Sequence, residues 1–315
     1  GRAALLREGA VLKLPESYLE YSERSYGLDH DRHDWTPADR RDPLQLKSGK
    51  KAAAFIVVPL EFFPLDPPAK PFSHPGSMKT PYPDLRHYTT RDYGNRVGVY
   101  RILKALADVG LKATFAVNAA VADRYSPLLK AVEQAGHEIA AHGVSTAHIH
   151  HEGLSCQQEE EFIARCRAEF PDAKTWMSPA RNQTYRTLDL LAKAGFEVCL
   201  DWEPDQRPLA LRTENGSITS LPLMNELSDF TLLLDRRQQA DDWARQILEA
   251  AQFHLDAYAD AGAQCFGFTL TPYIVGQPFR VLSLKNLLSG LVGMPELEVV
   301  TAAQVSSLFL LPGQA

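Results

Sequence analysis

Side chains able to move protons or stabilise charge recur at one kind of position, just past short apolar runs. Glu61 follows the run 53–60, Asn118 follows 113–117 and His142 follows 137–141. Ser178 and Arg181 follow 175–177, and Asp201-Trp202 follow 196–200. Asn225, Glu226 and Asp229 come after 217–223, and Thr271 comes after 265–270. If the runs are strands sharing one mouth, a carboxylate, an imidazole and several hydrogen-bond donors converge there. Those are the parts of acyl-transfer chemistry: water is deprotonated, a carbonyl oxyanion stabilised and a leaving amine protonated. Taken singly, each residue reads equally well as a cap or a turn.

Three further groups carry possible chemistry. Arg91-Asp92-Tyr93-Gly94-Asn95-Arg96 precedes a helical period, and its arginines and tyrosine suit a substrate carboxylate or imide oxygen. The competing reading is a helix N-terminus with Arg96 paired internally, and Gly94 permits the tight turn that either needs. His148, His150 and His151 suggest a metal, but a site needs three convergent ligands and adjacent residues such as His150-His151 point apart. An exposed histidine-rich loop fits better. Ser145 has no G-x-S-x-G elbow around it, which argues against a serine hydrolase.

The elements that must position these groups alternate. A polar, charge-dense stretch over 1–48 predicts an N-terminal arm, followed by one domain over 49–312. The apolar strand 53–60 leads into a loop with seven prolines, Phe63 to Asp84, long enough to suggest a function. Helical periods end at Gly110, Gly136 and Gly195, and strand-like runs separate them. Ser155 with Gln158 has capping-box spacing. Strands with helical crossovers and no G-x-G-x-x-G or P-loop favour a single α/β chain folded as a (β/α) barrel, whose reacting groups sit at the C-terminal strand ends.

Composition narrows the function classes. The 315 residues are 45% hydrophobic and 23% charged, with a net charge of -6, which is globular and disfavours nucleic-acid or anionic-membrane partners. No apolar run reaches the length of a membrane helix, and no signal peptide is legible, so a cytoplasmic protein is expected. Four scattered cysteines predict neither a disulfide scaffold nor a zinc knot. Cys199 and Cys265 read as buried thiols. A homo-oligomer is expected from symmetry statistics alone.

Together, seven stretches resemble the polysaccharide deacetylase family, in its allantoinase-like branch. They are VVPLEFF (57–63), RDYGNRVG (91–98), GHEIAAHG (136–143), SPARNQTYRTLDLLAKAGFE (178–197), DWEPDQRP (201–208), LPLMNELSDF (221–230) and LTPYIVGQPFR (270–280). The resemblance implies a distorted (β/α)7 barrel. It also implies that metal-dependent relatives carry an Asp pair after the first strand and H-x-x-x-H after the third. Here those positions read Leu60-Glu61-Phe62 and His142 with Thr146. No metal or other cofactor is therefore expected, as in the allantoinase-like branch. Within that branch, Phe62, Gln183, Thr271 and Phe279 stand where relatives tend to carry His, Glu, His and His. Each change removes a titratable group.

The expected activity is metal-independent hydrolysis of a non-peptide C–N bond in a small amide, ureide or cyclic imide. Glu61 or His142 would activate water. Arg91, Tyr93 and Arg96 would hold a polar substrate group, with Trp202 as an apolar wall and Asp205, Glu226 and Thr271 completing the site. The alternatives are a catalytically silent paralogue that binds a ligand or a homologous subunit, and, more weakly, a metal-dependent polysaccharide deacetylase using His142, Glu61 and a loop histidine.

Overall fold

The structure, a computed structural model, describes residues 30–310. Contacts divide the chain into two units, 1–41 and 42–315. The described part of the first contains a short 3-10 turn, Ala38–Arg40, and the rings of His30 and His33 lie 4.8 Å apart. Residues 1–29 of the expected arm lie outside the described residues.

The second unit begins with β1 (Gln45–Leu46) and β2 (Ala52–Leu60). There follow β3 (Thr114–Val117), β4 (Glu138–Ala141), β5 (Thr175–Trp176) and β6 (Val198–Cys199). The remaining strands are β7 (Leu209–Thr213), β8 (Gly216–Ser220), β9 (Gln264–Thr269), β10 (Leu297–Val300) and β11 (Phe309–Leu310). Seven parallel strands run in the order β9-β2-β3-β4-β5-β6-β8, and the bridge Leu223↔Gly267 joins the last back to the first. On the other edge of β2, β10 pairs with Ala52–Phe55 and β3 with Val57–Leu60. This is the distorted (β/α)7 barrel expected from the motifs. Two antiparallel pairs escape the sequence pattern: β7 with β8, and β1 with β11. β7 is only half-buried, and β1 and β11 have two residues each, too few to show a period.

Side chains alternate across a strand, so each barrel strand supplies two cores. Ala53, Phe55 and Val57 point inward and pack with Ala116, Ala140 and Met177. Ala52, Ala54, Ile56 and Val58 face the surrounding helices. The interior is tight: a Cβ on Gly267 would stand 2.3 Å from the Phe55 ring.

The segment expected to be a polar turn before a helix is itself helical. Leu85–Tyr93, a π-helical turn Gly94–Gly98 and the helix Val99–Asp108 follow one another without a break. Gly94 therefore serves close approach rather than a turn: a Cβ there would stand 2.8 Å from the Tyr273 nitrogen, and one on Gly98 2.1 Å from the Pro272 carbonyl oxygen. Asp84 ends the proline-rich loop and caps this helix by accepting from the His87 amide at 3.2 Å. The Ser155–Gln158 capping box forms as its spacing predicts. Cys199 and Cys265 are buried free thiols. Among the described residues, no helix is long and apolar enough to cross a membrane.

Candidate active site

Strand parity explains which strand-end residues reach the barrel mouth. The inward series Ala53, Phe55, Val57 continues through Pro59 to Glu61; Ala140 is followed by His142, and Thr269 by Thr271. All three endpoints line one cavity of about 710 Å3 including its open mouth. Asn118 is fully buried and fixes the backbone around them. Its Oδ1 accepts from the Phe62 amide at 2.9 Å, and its Nδ2 donates to the His142 carbonyl oxygen.

At the centre of the site, His142 Nε2 lies 3.1 Å and His74 Nε2 3.0 Å from the same oxygen, Oε1 of Glu61. His142 Nδ1 stands 2.8 Å from the Met177 carbonyl oxygen, to which it must donate. The Gly76 amide donates to His74 Nδ1 at 3.2 Å, which leaves the His74 proton on Nε2, facing Glu61. Burial pushes the Glu61 carboxyl upward, but its interactions with His74 and His142, both within hydrogen-bond distance, outweigh it. The group is held well below the usual carboxylate range. Oε2 of Glu61 has no hydrogen-bond partner among the described residues.

His74 was not singled out in the sequence. It stands in the proline-rich loop, far from its strand end, and only the length of that loop hinted at a role. Asp229, buried beneath Thr271, accepts from the Thr271 amide at 2.6 Å and from the Thr269 and Thr271 hydroxyls at 2.9 Å each. Burial outweighs these bonds and pushes its carboxyl up to about 6.

Several expected substrate contacts do not converge on this cavity. Arg91 donates through Nε to the Gly76 carbonyl oxygen at 2.9 Å, and its guanidinium lies 4.6 Å from the Tyr273 ring centroid. It thereby holds the His74 loop rather than lining the main cavity. Tyr93 accepts from Arg101 Nη1. Arg96 pairs with Asp92 at 2.8 Å with its side chain 73% exposed, the internal pairing weighed against a binding role. All three sit on a helix, not in a loop, and none lines the main cavity, although Arg91 shares a small side pocket with Glu61.

Trp202 donates to Gln183 Oε1 at 2.8 Å, and Gln183 donates to Asp201 Oδ2 at 2.5 Å. The three form a brace behind the turn after β5, with Asp201 Oδ1 accepting from the Ser178 amide at 2.8 Å. Asp205 neighbours Gln206, whose carbonyl accepts from the Cys265 amide near the start of β9, at the end remote from Thr271. Glu226 is exposed and paired with Arg236. The histidine-rich segment is not exposed as expected. His150 is fully buried with Nδ1 2.8 Å from Glu159 Oε1, because the segment tucks against the helix Cys156–Glu169.

The turn after β5 is strained. Ala180 and Arg181 have φ of 55° and 54°, left-handed values that cost non-glycine residues roughly 1–2 kcal/mol each. Both line the cavity. Strain of this kind collects at functional sites when the surroundings over-determine it, and the Asp201 brace does so here.

The metal implied by the motifs does not fit these residues. Thr146, at the second histidine position, donates its hydroxyl to the Phe62 carbonyl oxygen at 2.9 Å. The set His142, Glu61 and a loop histidine does assemble, but His74 keeps its proton on the nitrogen that would have to bind. Among the described residues, no group of three His, Cys, Asp or Glu is arranged to hold a metal ion.

The polysaccharide deacetylase family profile matches residues 80–199, a stretch that contains His142 and Arg181 but neither Glu61 nor His74. The fold is similar to that of a Mycobacterium smegmatis protein assigned as a polysaccharide deacetylase, with 22% identity, a TM-score of 0.69, and 86% of this chain and 93% of that one covered. It is similar to Puue allantoinase, with 18% identity, a TM-score of 0.71, and 82% and 90% covered. A Pseudomonas aeruginosa PAO1 protein assigned as a polysaccharide deacetylase gives 17% identity, a TM-score of 0.70, and the same 82% and 90%. No curated protein sequence matches the chain.

Proposed function

We propose that this chain, which has the polysaccharide deacetylase fold, hydrolyses a non-peptide carbon–nitrogen bond in a small amide, ureide or cyclic imide. One observation carries the reading: two imidazoles hold Oε1 of Glu61, leaving Oε2 without a partner in a residue that lines the cavity. A water on Oε2 would be oriented by a carboxylate whose charge is fixed.

The roles follow from where the protons are. Glu61 takes a proton from the water as its oxygen adds to the carbonyl carbon. That proton is passed on to the leaving nitrogen as the C–N bond breaks, with His142 Nε2, 3.1 Å from Glu61, placed to relay it. The balance is one amide and one water giving one acid and one amine. His74, which touches only Glu61, is a positioning residue. A carboxylate held so far down is a weak base, so much of the acceleration must come from orientation. No step runs through a metal ion, because the residues present do not fit one.

The test is a panel of amides, ureides and cyclic imides assayed with the wild type, Glu61→Gln and His142→Ala. Turnover of at least one compound, lost in Glu61→Gln and reduced in His142→Ala, is the expected result. Turnover indifferent to both substitutions overturns the assignment. Absent turnover with a ligand still bound in the cavity favours the silent binding protein instead.

A further inference from the structure

The cavity has a second polar pole that the hydrolytic step does not use. Arg181 is the one arginine or lysine lining it among the described residues. A guanidinium offers five N–H donors in a rigid fork, and here they are poorly matched. Nη2 reaches the Asp201 carbonyl oxygen only at 3.4 Å, and Nη1 makes a long ion pair with Glu203 Oε2 at 3.6 Å. Nε is buried and has no partner. Glu203 is shared between the two rims, since the same Oε2 accepts from the Asn225 amide at 2.8 Å, and its pair with Arg181 is long. Arg91 shows the contrast, with its Nε satisfied at 2.9 Å and its face stacked on Tyr273. The backbone holding Arg181 is left-handed, and its amide donates to the Ser178 carbonyl at 2.8 Å, so the side chain is aimed by a braced turn.

From this geometry we infer that the substrate carries a free carboxylate seated on Arg181, while its scissile carbonyl lies at Glu61 and His142. The chemical class is an N-acylated or N-carbamoylated amino acid, with its side chain against Leu223, Met224 and Phe230. A carboxylate matches the fork bidentately and supplies the acceptors the guanidinium lacks. The inference rests on the hydrolase reading for the position of the carbonyl, and on Arg181 alone for the carboxylate.

The experiment compares N-acetyl and N-carbamoyl amino acids with their methyl esters, in the wild type, Arg181→Gln and Arg181→Lys. The wild type is expected to prefer the acids by roughly 10- to 100-fold in kcat/KM, as charge-assisted hydrogen bonds allow. Arg181→Gln should bring the ratio to within about threefold, mainly through KM for the acid, and Arg181→Lys should retain part of it. Equal turnover of acid and ester by the wild type overturns the carboxylate inference and leaves the hydrolase reading intact. A preference undiminished in Arg181→Gln also overturns it. If nothing is hydrolysed, calorimetric binding of the same pairs decides. Tighter binding of the acid in the wild type alone supports a carboxylate seat without hydrolysis, and equal binding sinks it.

Discussion

Two buried carboxylates stand near one barrel mouth, and their surroundings drive them in opposite directions. Glu61 faces two imidazoles, whose interactions with it outweigh burial and hold it ionised. Asp229 faces two threonine hydroxyls and two backbone amides, whose donors do not outweigh burial, and it rises to about 6. Both are hydrogen-bonded; the difference is that the partners of Glu61 are two imidazoles and those of Asp229 are hydroxyls and backbone amides. A strand-end carboxylate is therefore defined by its partners, and the presence of Asp or Glu in a sequence does not say which kind it is. Glu61 is suited to act on a substrate, whereas Asp229 is suited to tie the end of β9 to the segment after β8.

The contrast is tested most strongly by two isosteric changes. Glu61→Gln should lower kcat by roughly 10²- to 10⁴-fold, the usual contribution of a positioned base, with circular dichroism unchanged. Asp229→Asn should cost less than about tenfold in the same assay; the reverse order would dissolve the distinction. Next in size, Asp229→Ala strands the Thr271 amide and both threonine hydroxyls, and should destabilise the fold by about 3–5 kcal/mol in urea unfolding, while Glu61→Gln costs less.

The pH dependences should have opposite signs. Asp229, raised in the folded state from 3.8 to about 6, contributes stability below pH 4 that is lost as pH rises through 6. The loss is at most about 3 kcal/mol. Glu61, lowered from 4.5, contributes stability above pH 4.5 that is lost as pH falls below it. Urea melts of the wild type, Asp229→Asn and Glu61→Gln between pH 3 and 7 separate the two, and a common sign would refute the scheme. The smallest effect is expected for His74→Asn, roughly 3- to 10-fold in kcat, with the acid limb of the rate profile moved to higher pH. An unmoved limb would show that His74 does not act through Glu61.

What was legible in the sequence follows the reach of strand parity. Glu61, His142 and Thr271 lie within two residues of a strand end, where the backbone still carries the in–out alternation of the strand, and all three reach the mouth. Trp202 lies three residues past β6 and turns into the Gln183 brace. Asp205 and Glu226 lie farther along their loops, where tertiary contacts set direction. Arg91, Tyr93 and Arg96 stay off the main cavity for another reason: Gly94, which suggested a turn, instead lets a helix pack closely on Tyr273, as Gly98 does on Pro272. His74 shows the converse. Its placement depends on Arg91 holding the Gly76 carbonyl, a contact across 15 residues that no local pattern signals. The barrel itself was legible because glycine stops and apolar runs alternate along the chain, whereas the short antiparallel pairs had too few residues to show a period.

The way β2 is paired also bears on how the chain is made. One edge of this wholly apolar strand is covered by β9, and the strands beneath are braced by β1 and β11, with Lys47 reaching Ser307 across 260 residues. A ribosome delivers β2 early and its partner β9 more than 200 residues later. Until then the strand has an open edge of the kind that recruits other chains. Nascent or truncated chains ending before residue 264 therefore present a sticky hydrophobic edge. The interval between the first strand and the seventh is when this barrel most needs a chaperone.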